Sequence, residues 1–382
     1  AVMWRTGAAL AVFTAALGQP LAAQASVYGV LGVGFPGRAV SVRARALGGG
    51  LDALDPRSAV NPAAIAFNGR LTVSGTTETT SRRYEVSGVT AEGLRDTRFP
   101  VAMIAGQIQT SPISFGVSYA LYAERSFDIQ TTDTVTLRGT DVLVSDRLRS
   151  DGGITDIRFG LAWALSERVQ LGGAFHLLSG STREQLQRDF DSPDYASVTQ
   201  RGDVDYSGTG VSIGLMVTPS RRFRLGLAAR RDGRLDVSDP LLPVPELQLP
   251  WTLTAGWTYA PVRVVRWSAS ASWRSWAGAN GDPSAGLTDK VFDTWEIGTG
   301  IEIGGSDVGA SRIPLRVGIR YAQLPFSPTT DRVREIGLSA GTALAFAANR
   351  AIIDAAIERA IRDGGGAMER AWQLSLGLTI RP

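Results

Sequence analysis

The sequence predicts an all-β chain: a fourteen-stranded antiparallel transmembrane β-barrel with an N-terminal hatch or plug segment. Three observations predict it. Apolar residues recur with period two almost everywhere downstream of Gly69, the spacing that gives a strand one apolar face. The runs reach the roughly 9–11 residues that a tilted strand needs to cross the hydrocarbon layer, where soluble strands average about 5–6. Aromatics close the apolar faces, as Trp267 and Trp273 do on one run, matching the two interfacial girdles of a membrane barrel.

Residues 1–25 are expected to be a secretory signal peptide, with Arg5 as the positive region, an apolar stretch from Ala8 to Leu17 and the small-residue box Ala23-Gln24-Ala25. The stretch is too short to span a bilayer. A buried N-terminal helix competes, but Gln19-Pro20 ends the run and nothing polar alternates with it. Residues 26–69 follow as the hatch and 70–382 as the outer-membrane barrel; a flexible periplasmic arm is the alternative for 26–69.

The strand segments are 70–79, 99–109, 113–131, 153–165, 168–187, 203–218, 221–238, 247–260, 262–276, 291–303, 312–322, 332–347, 350–362 and 370–380. In 154–165, Ile157, Phe159, Leu161 and Trp163 face one way and Asp156, Arg158, Gly160 and Ala162 the other. Such a mixed polar face suits a lumen, where opposite charges pair across strands, better than the outside of a soluble sandwich or solenoid. The number is even, as single-chain bacterial barrels require. Short connections at 110–112, 166–167, 219–220, 261, 304–311 and 348–349 are expected at the periplasmic end, and mostly longer ones at 80–98, 132–152, 188–202, 239–246, 277–290, 323–331 and 363–369 at the cell surface. Segment 350–362 is ambiguous, because Ile353, Ile357 and Ile361 also fit an amphipathic helix; 99–109 is poorly patterned.

Composition closes several function classes. There is no cysteine and a single histidine, and Lys290 is the sole lysine among 39 basic residues. Disulfides, thiol chemistry and multi-imidazole metal sites are excluded, so no cofactor or metal is expected. The net charge of +3 is spread without a basic run, which argues against nucleic acid. A mean hydropathy of +0.02 is too low for a bundle of membrane helices.

Three motifs have bland readings. Gly32-Val-Gly34-Phe-Pro-Gly37 matches a dinucleotide fingerprint but opens no βαβ unit. Gly210-Val-Ser212-Ile-Gly214 and Gly337-Leu-Ser339-Ala-Gly341 match the serine-hydrolase elbow, yet both lie inside period-two runs where alternation alone produces them. His176 shares the polar face of its run with Gln170, Gly172 and Ala174 and reads as a hydrogen-bonding lumen residue rather than a catalytic base. No catalytic residue is expected. The charges Asp156, Arg158, Arg266, Arg274, Glu296, Arg316 and Arg320 are placed in the lumen, as stiffening ion pairs or as a solute-selecting lining.

The stretch from Ala44 to Ala66 is the most distinctive. Gly48-Gly49-Gly50 permits close backbone packing, Asp55-Pro56 makes a turn, and Asn61-Pro62-Ala63 makes another before a short apolar piece. It resembles the outer-membrane long-chain fatty acid and hydrocarbon transporter family (FadL-type, including PorV-like members), whose members have a Gly-rich run, an acidic turn and Asn-Pro-Ala before the first strand. Ala59-Val60 stand here where relatives have aromatics, and the chain closes on Ile380-Arg381-Pro382 instead of an aromatic. The resemblance implies a fourteen-stranded barrel with a hatch in the bacterial outer membrane. It also implies passive uptake of a hydrophobic small molecule or lipid, with Val27, Tyr28, Val30, Leu31 and Phe35 as candidate ligand contacts and outer-membrane lipid around the wall. The PorV branch implies the alternative, a barrel that binds an envelope protein partner in a secretion complex.

Overall fold

The computed structural model describes residues 26–86, 89–238, 246–279, 291–304, 313–327 and 329–382. The signal-peptide region 1–25 lies outside them. Among the described residues, one antiparallel sheet closes on itself as a barrel of fourteen strands. Strand β1 is Thr72–Val86, and β2 comes in two pieces, Val89–Arg98 and Val101–Gln107. Strand β3 is Ile113–Glu124, continued by Phe127–Leu137. There follow β4 Thr140–Ala164, β5 Val169–Phe190, β6 Val198–Ser220 and β7 Phe223–Ser238. The other half is β8 Trp251–Val262, β9 Val265–Arg274, β10 Thr294–Ile303, β11 Leu315–Gln323, β12 Arg334–Phe346, β13 Ala351–Gly364 and β14 Ala367–Ile380. Closure is the pairing of β14 with β1, from Ala367↔Val86 to Ile380↔Val73.

Alternation decides which face meets what. Leu161, Ile213, Leu315, Leu338 and Leu374 all project outward and exposed, forming a belt of large apolar side chains all round the wall. Water would not tolerate so continuous a surface, and lipid does. Trp163, Trp251, Trp267, Trp295 and Trp372 lie exposed within this belt, and Trp267 packs edge-on against Trp257 at 5.0 Å. The inward face carries the small and charged positions, with Asp156, Arg158, Glu302, Arg316 and Glu358 all buried.

Residues 26–68 lie inside the barrel, buried or half-buried wherever their side chains are described. They contain a short helix, α1 (Val42–Ala46), and a 3-10 turn at Pro62–Phe67. The apolar core therefore forms between this segment and the wall, where Val40, Leu47, Leu51 and Leu54 cluster with Met216 of β6.

Two expectations change. The spans 80–98, 132–152 and 188–202, read as loops, are largely strand: β1 reaches Val86, β4 begins at Thr140, β5 reaches Phe190 and β6 begins at Val198. Polar and charged residues occupy both faces of much of these arms, so the hydrophobic alternation fades, and they are held by backbone pairing and charge ladders such as Arg147–Asp128 (2.5 Å) and Arg188–Asp146 (2.6 Å). Segment 350–362 is strand, pairing with β12 and β14 along its length.

Candidate binding site in the lumen

The N-terminal segment is folded by its own turn chemistry. The Ser41 hydroxyl accepts from Ala44 N–H at 3.2 Å, capping α1, and donates to Asp55. Asp55 also accepts from the Ser58 hydroxyl at 3.3 Å, joining two turns. Asn61 caps the 3-10 turn by accepting from Ala63 N–H at 2.9 Å, while its amide donates to the Ala53 carbonyl at 2.9 Å. Pro62 fits the first helical position, where no N–H is needed. Ala63 is fully buried, its backbone pressed over Gly172 of β5.

The glycine run acts by contact. Gly48 has φ +61°, and a side chain there would also come within 2.5 Å of the Ile319 carbonyl. Gly50 faces the Ser268 carbonyl, and Gly298 and Gly318 of the wall face the backbone of Gly48 and Leu47. Main chain meets main chain across glycine on both sides, a close approach that any Cβ would block.

Charge fixes the segment further. Four of its arginines pair with wall carboxylates: Arg38 with Glu358 (3.1 Å), Arg43 with Glu302 (2.6 Å), Arg45 with Glu78 (2.5 Å) and Arg57 with Asp354 (2.7 Å). Wall arginines share the same acids. Arg316 bridges Glu302 (2.7 Å) and Asp354 (2.6 Å), Arg266 reaches Glu302 (3.3 Å), and Arg320 touches Glu296 (3.4 Å), Glu358 (3.1 Å) and Glu335. Arg274 lines the cavity described next.

One stretch of wall is incomplete. Strand β3 pairs with β2 from Gln107↔Ser114 to Val101↔Ala120, and Leu121 N–H reaches the Pro100 carbonyl at 3.0 Å. Above that point the upper piece of β2 pairs with β1, and among the described residues no backbone pairing joins it to β3. Strand β3 shifts register with β4 between Leu121 and Ala123. Its freed edge is taken from inside by the N-terminal segment, through Phe35↔Glu124, Pro36↔Ala123 and Gly37 N–H to the Tyr122 carbonyl at 2.8 Å. Behind this seam lies a cavity of about 100 Å³ whose lining runs from Leu121 and Ala123 at β3 to Arg274 and Glu296 at β9 and β10.

Beside the cavity, three residues on adjacent strands form a buried relay. His176 Nδ1 lies 2.9 Å from the Asp156 carboxylate and its Nε2 lies 2.8 Å from the Ser212 hydroxyl. Asp156 also accepts from Arg230 at 2.5 Å, and Arg230 binds Asp232 at 2.8 Å. Asp156 and Arg230 line the cavity; His176 and Ser212 do not. Ser212 sits mid-strand in β6 with no strand-to-helix elbow, so the relay orients Asp156 and through it Arg230. The neighbouring Arg158 donates to the Ser118 hydroxyl at 3.2 Å.

The five ligand-contact candidates sit near the upper end of the lumen. The side chain of Val27 lies outside the described residues. The Tyr28 hydroxyl donates to the Ala367 carbonyl at 2.6 Å, pinning the segment to the β13–β14 hairpin. Val30 is half-buried, and Leu31 packs on the cluster that holds Ile154 and Leu178. Phe35 is buried under Arg362, 4.6 Å from ring centre to guanidinium, and lines a second, smaller cavity. The residues of this segment that line the larger cavity are instead Val33, Pro36 to Val40, Asp52, Ala59 and Val60. Nothing in the sequence marked Asp52 or the seam, although Phe99-Pro100 carried a signal in a proline that cannot donate to a ladder.

Solved structures share this architecture. The toluene transporter TbuX of Ralstonia pickettii is similar at 16% identity, over 90% of this chain and 98% of that one, with a TM-score of 0.61. A Pseudomonas aeruginosa FadL homologue is similar at 17% identity, over 90% and 99%, with a TM-score of 0.59. The P. putida toluene transporter TodX is similar at 15% identity, over 90% and 99%, with a TM-score of 0.59. The fold is that of these barrels. Identity at this level establishes the fold alone. No protein-family model matches the chain, and no curated protein matches it.

Proposed function

We propose that this chain is a bacterial outer-membrane barrel for passive uptake of hydrophobic small molecules, of the hydrocarbon or long-chain fatty acid type, with residues 26–69 acting as a hatch. One observation carries the reading: a lumen cavity abuts a wall seam whose free strand edge is stopped by the hatch itself at Phe35–Pro36. A guest is captured among the long arms, passes into the cavity, and leaves by displacement of the hatch, downward or sideways through the seam into lipid. Moving between protein surfaces spares an apolar molecule the transfer through water and sugar that it would otherwise face. At about 100 Å³ the cavity is below the roughly 300–1,000 Å³ of common ligand pockets, so a long-chain guest requires the hatch to move. The toluene transporters of the same fold support this substrate class.

The test is uptake of radiolabelled toluene and oleate by a deletion strain and its complemented parent. Loss of either on deletion, restored by the gene, is the expected result. Equal uptake of both in the two strains would overturn the proposal.

A further inference from the structure

The cavity is not an apolar pocket. Its β3 side carries Ala120, Leu121 and Ala123 with Val33 and Val60 of the hatch, beside Tyr122, Asp156 and Arg230, and its far side carries Thr252, Thr254, Ser272, Arg274 and Glu296. Strands β3 and β10 are seven places apart in a ring of fourteen, so these are opposite walls. The cavity thus offers a patch of apolar surface beside the seam within a largely polar lining.

Polar atoms facing it also have hydrogen-bonding capacity to spare. Among the described residues, Arg38 Nη2, Arg230 Nη2 and Trp276 Nε1 are buried donors without a hydrogen-bond partner, and Asp52 Oδ1 is a buried acceptor without one. All four residues line the cavity. Asp52 is 8% exposed and Trp276 3%, so bulk water does not satisfy them. A pure hydrocarbon would leave every one of these groups unpaired, while a group that both donates and accepts would engage donor and acceptor together.

We propose that the cavity's preferred ligand is a compact amphiphile, one aromatic ring or equally short apolar body bearing a hydroxyl, with the hydroxyl toward Asp52 and Arg38 and the apolar body toward the seam. This rests on the uptake reading above and narrows its substrate class. The volume agrees: a cavity of about 150 Å³ holds benzene, and this one is of that size class at about 100 Å³. Burial pushes the Asp52 carboxyl up to about 7, with Glu296 adding to the rise against the pull of Arg38, so near neutrality this group can accept or donate. The orientation also places the apolar end of the guest first at the seam.

The experiment compares toluene with p-cresol, which differ by one hydroxyl. Equilibrium dialysis of each radiolabelled compound against nanodiscs containing the full barrel, with empty nanodiscs subtracted for partitioning, gives two affinities. A site built to hydrogen-bond a hydroxyl discriminates strongly against the analogue that lacks it, so p-cresol is expected to bind at least about tenfold tighter. Asp52→Leu should erase that preference and Asp52→Asn should retain most of it. The comparison in the unaltered protein stands even where a variant fails to fold. Equal affinity for the two compounds overturns this inference and leaves the uptake reading intact. Binding of neither, with uptake still dependent on the gene, removes the cavity as the ligand site. Binding of neither and no gene-dependent uptake overturns both.

Discussion

Pro36 of the hatch stands opposite Ala123 on the edge of β3 that β2 has left. Proline donates no N–H, so it suits a short edge contact. The stopper amounts to the pairs Phe35↔Glu124 and Pro36↔Ala123 with one bond from Gly37. At about 1 kcal/mol net for each hydrogen bond, this contact, with Arg125 donating to the Gly32 carbonyl at 3.0 Å, is weak beside the continuous ladder that closes β14 on β1.

A cysteine pair makes this testable, because the chain has no cysteine of its own. Residues directly opposite on antiparallel strands have Cα atoms about 4.5–5.5 Å apart, within disulfide range. Pro36→Cys with Ala123→Cys is expected to abolish most uptake when oxidised and to regain it with reductant. Each single variant should stay within about twofold of the parent. Undiminished uptake by the oxidised pair would show that the seam is not on the path.

Arg45 and Glu78 are both almost fully buried and 2.5 Å apart. Removing Arg45 leaves Glu78 with Arg98, 2.7 Å away, as its remaining partner, so the cost is reduced to roughly 1–2 kcal/mol. Arg45→Met should therefore loosen the hatch while the wall remains folded. The Ala59 N–H, bonded to the Ala39 carbonyl at 2.7 Å, should exchange about tenfold faster. Unchanged exchange in Arg45→Met would mean that other contacts dominate hatch docking.

How much of this was legible depends on what each residue faces. Wherever one face meets lipid, as in Ile157-Arg158-Phe159-Gly160-Leu161, alternation shows the strand, and strand count follows. Ser145-Asp146-Arg147-Leu148-Arg149 has polar residues on both faces and shows no period, although it pairs on both sides. Ile353, Ile357 and Ile361 were ambiguous because a spacing of four fits both a helix turn and a strand face. The site was less legible than the fold. Asp52, Arg38 and Arg230 come from the hatch and β7, and their meeting at one cavity is a fact of tertiary packing that no local pattern encodes.

Gly298 of β10 lies against the backbone of Gly48, with no space for a Cβ. Gly298→Leu should leave the barrel able to close, since the strand pairs through its backbone, yet it denies the hatch its seat. The expected phenotype is a barrel that still shows heat-modifiable migration on gels but admits bulky antibiotics, with sensitivity rising several-fold. A variant as tight as the parent would indicate that the hatch can reseat around a side chain.

Ser212 hydrogen-bonds His176 without lining the cavity. Ser212→Ala should therefore keep uptake within about twofold, at a stability cost of about 1 kcal/mol for one lost hydrogen bond. Asp156→Leu strips Arg230 of a carboxylate 2.5 Å away while Asp232 keeps hold of it at 2.8 Å, and should weaken ligand binding by no more than several-fold. Labelling of Ser212 by a fluorophosphonate probe would contradict a purely positioning role.

The docking of the hatch should itself depend on pH through Asp52. Its ordinary value is 3.8, and burial raises it in the docked hatch to about 7. Below about pH 4 the group is protonated whether the hatch is docked or free, so it exerts no effect. Between about pH 4 and 7 a free hatch would ionise Asp52 while the docked one retains its proton. The docked state then binds more protons, so docking weakens as pH rises, and the loss is complete above pH 7 at up to roughly 4 kcal/mol. The Asp55 N–H, bonded to the Leu51 carbonyl at 2.9 Å, reports on this. After correction for intrinsic exchange, its protection should fall between about pH 4 and 7 in the parent and stay level in Asp52→Asn. An equal fall in both proteins would assign the dependence to other groups and leave Asp52 with no part in holding the hatch.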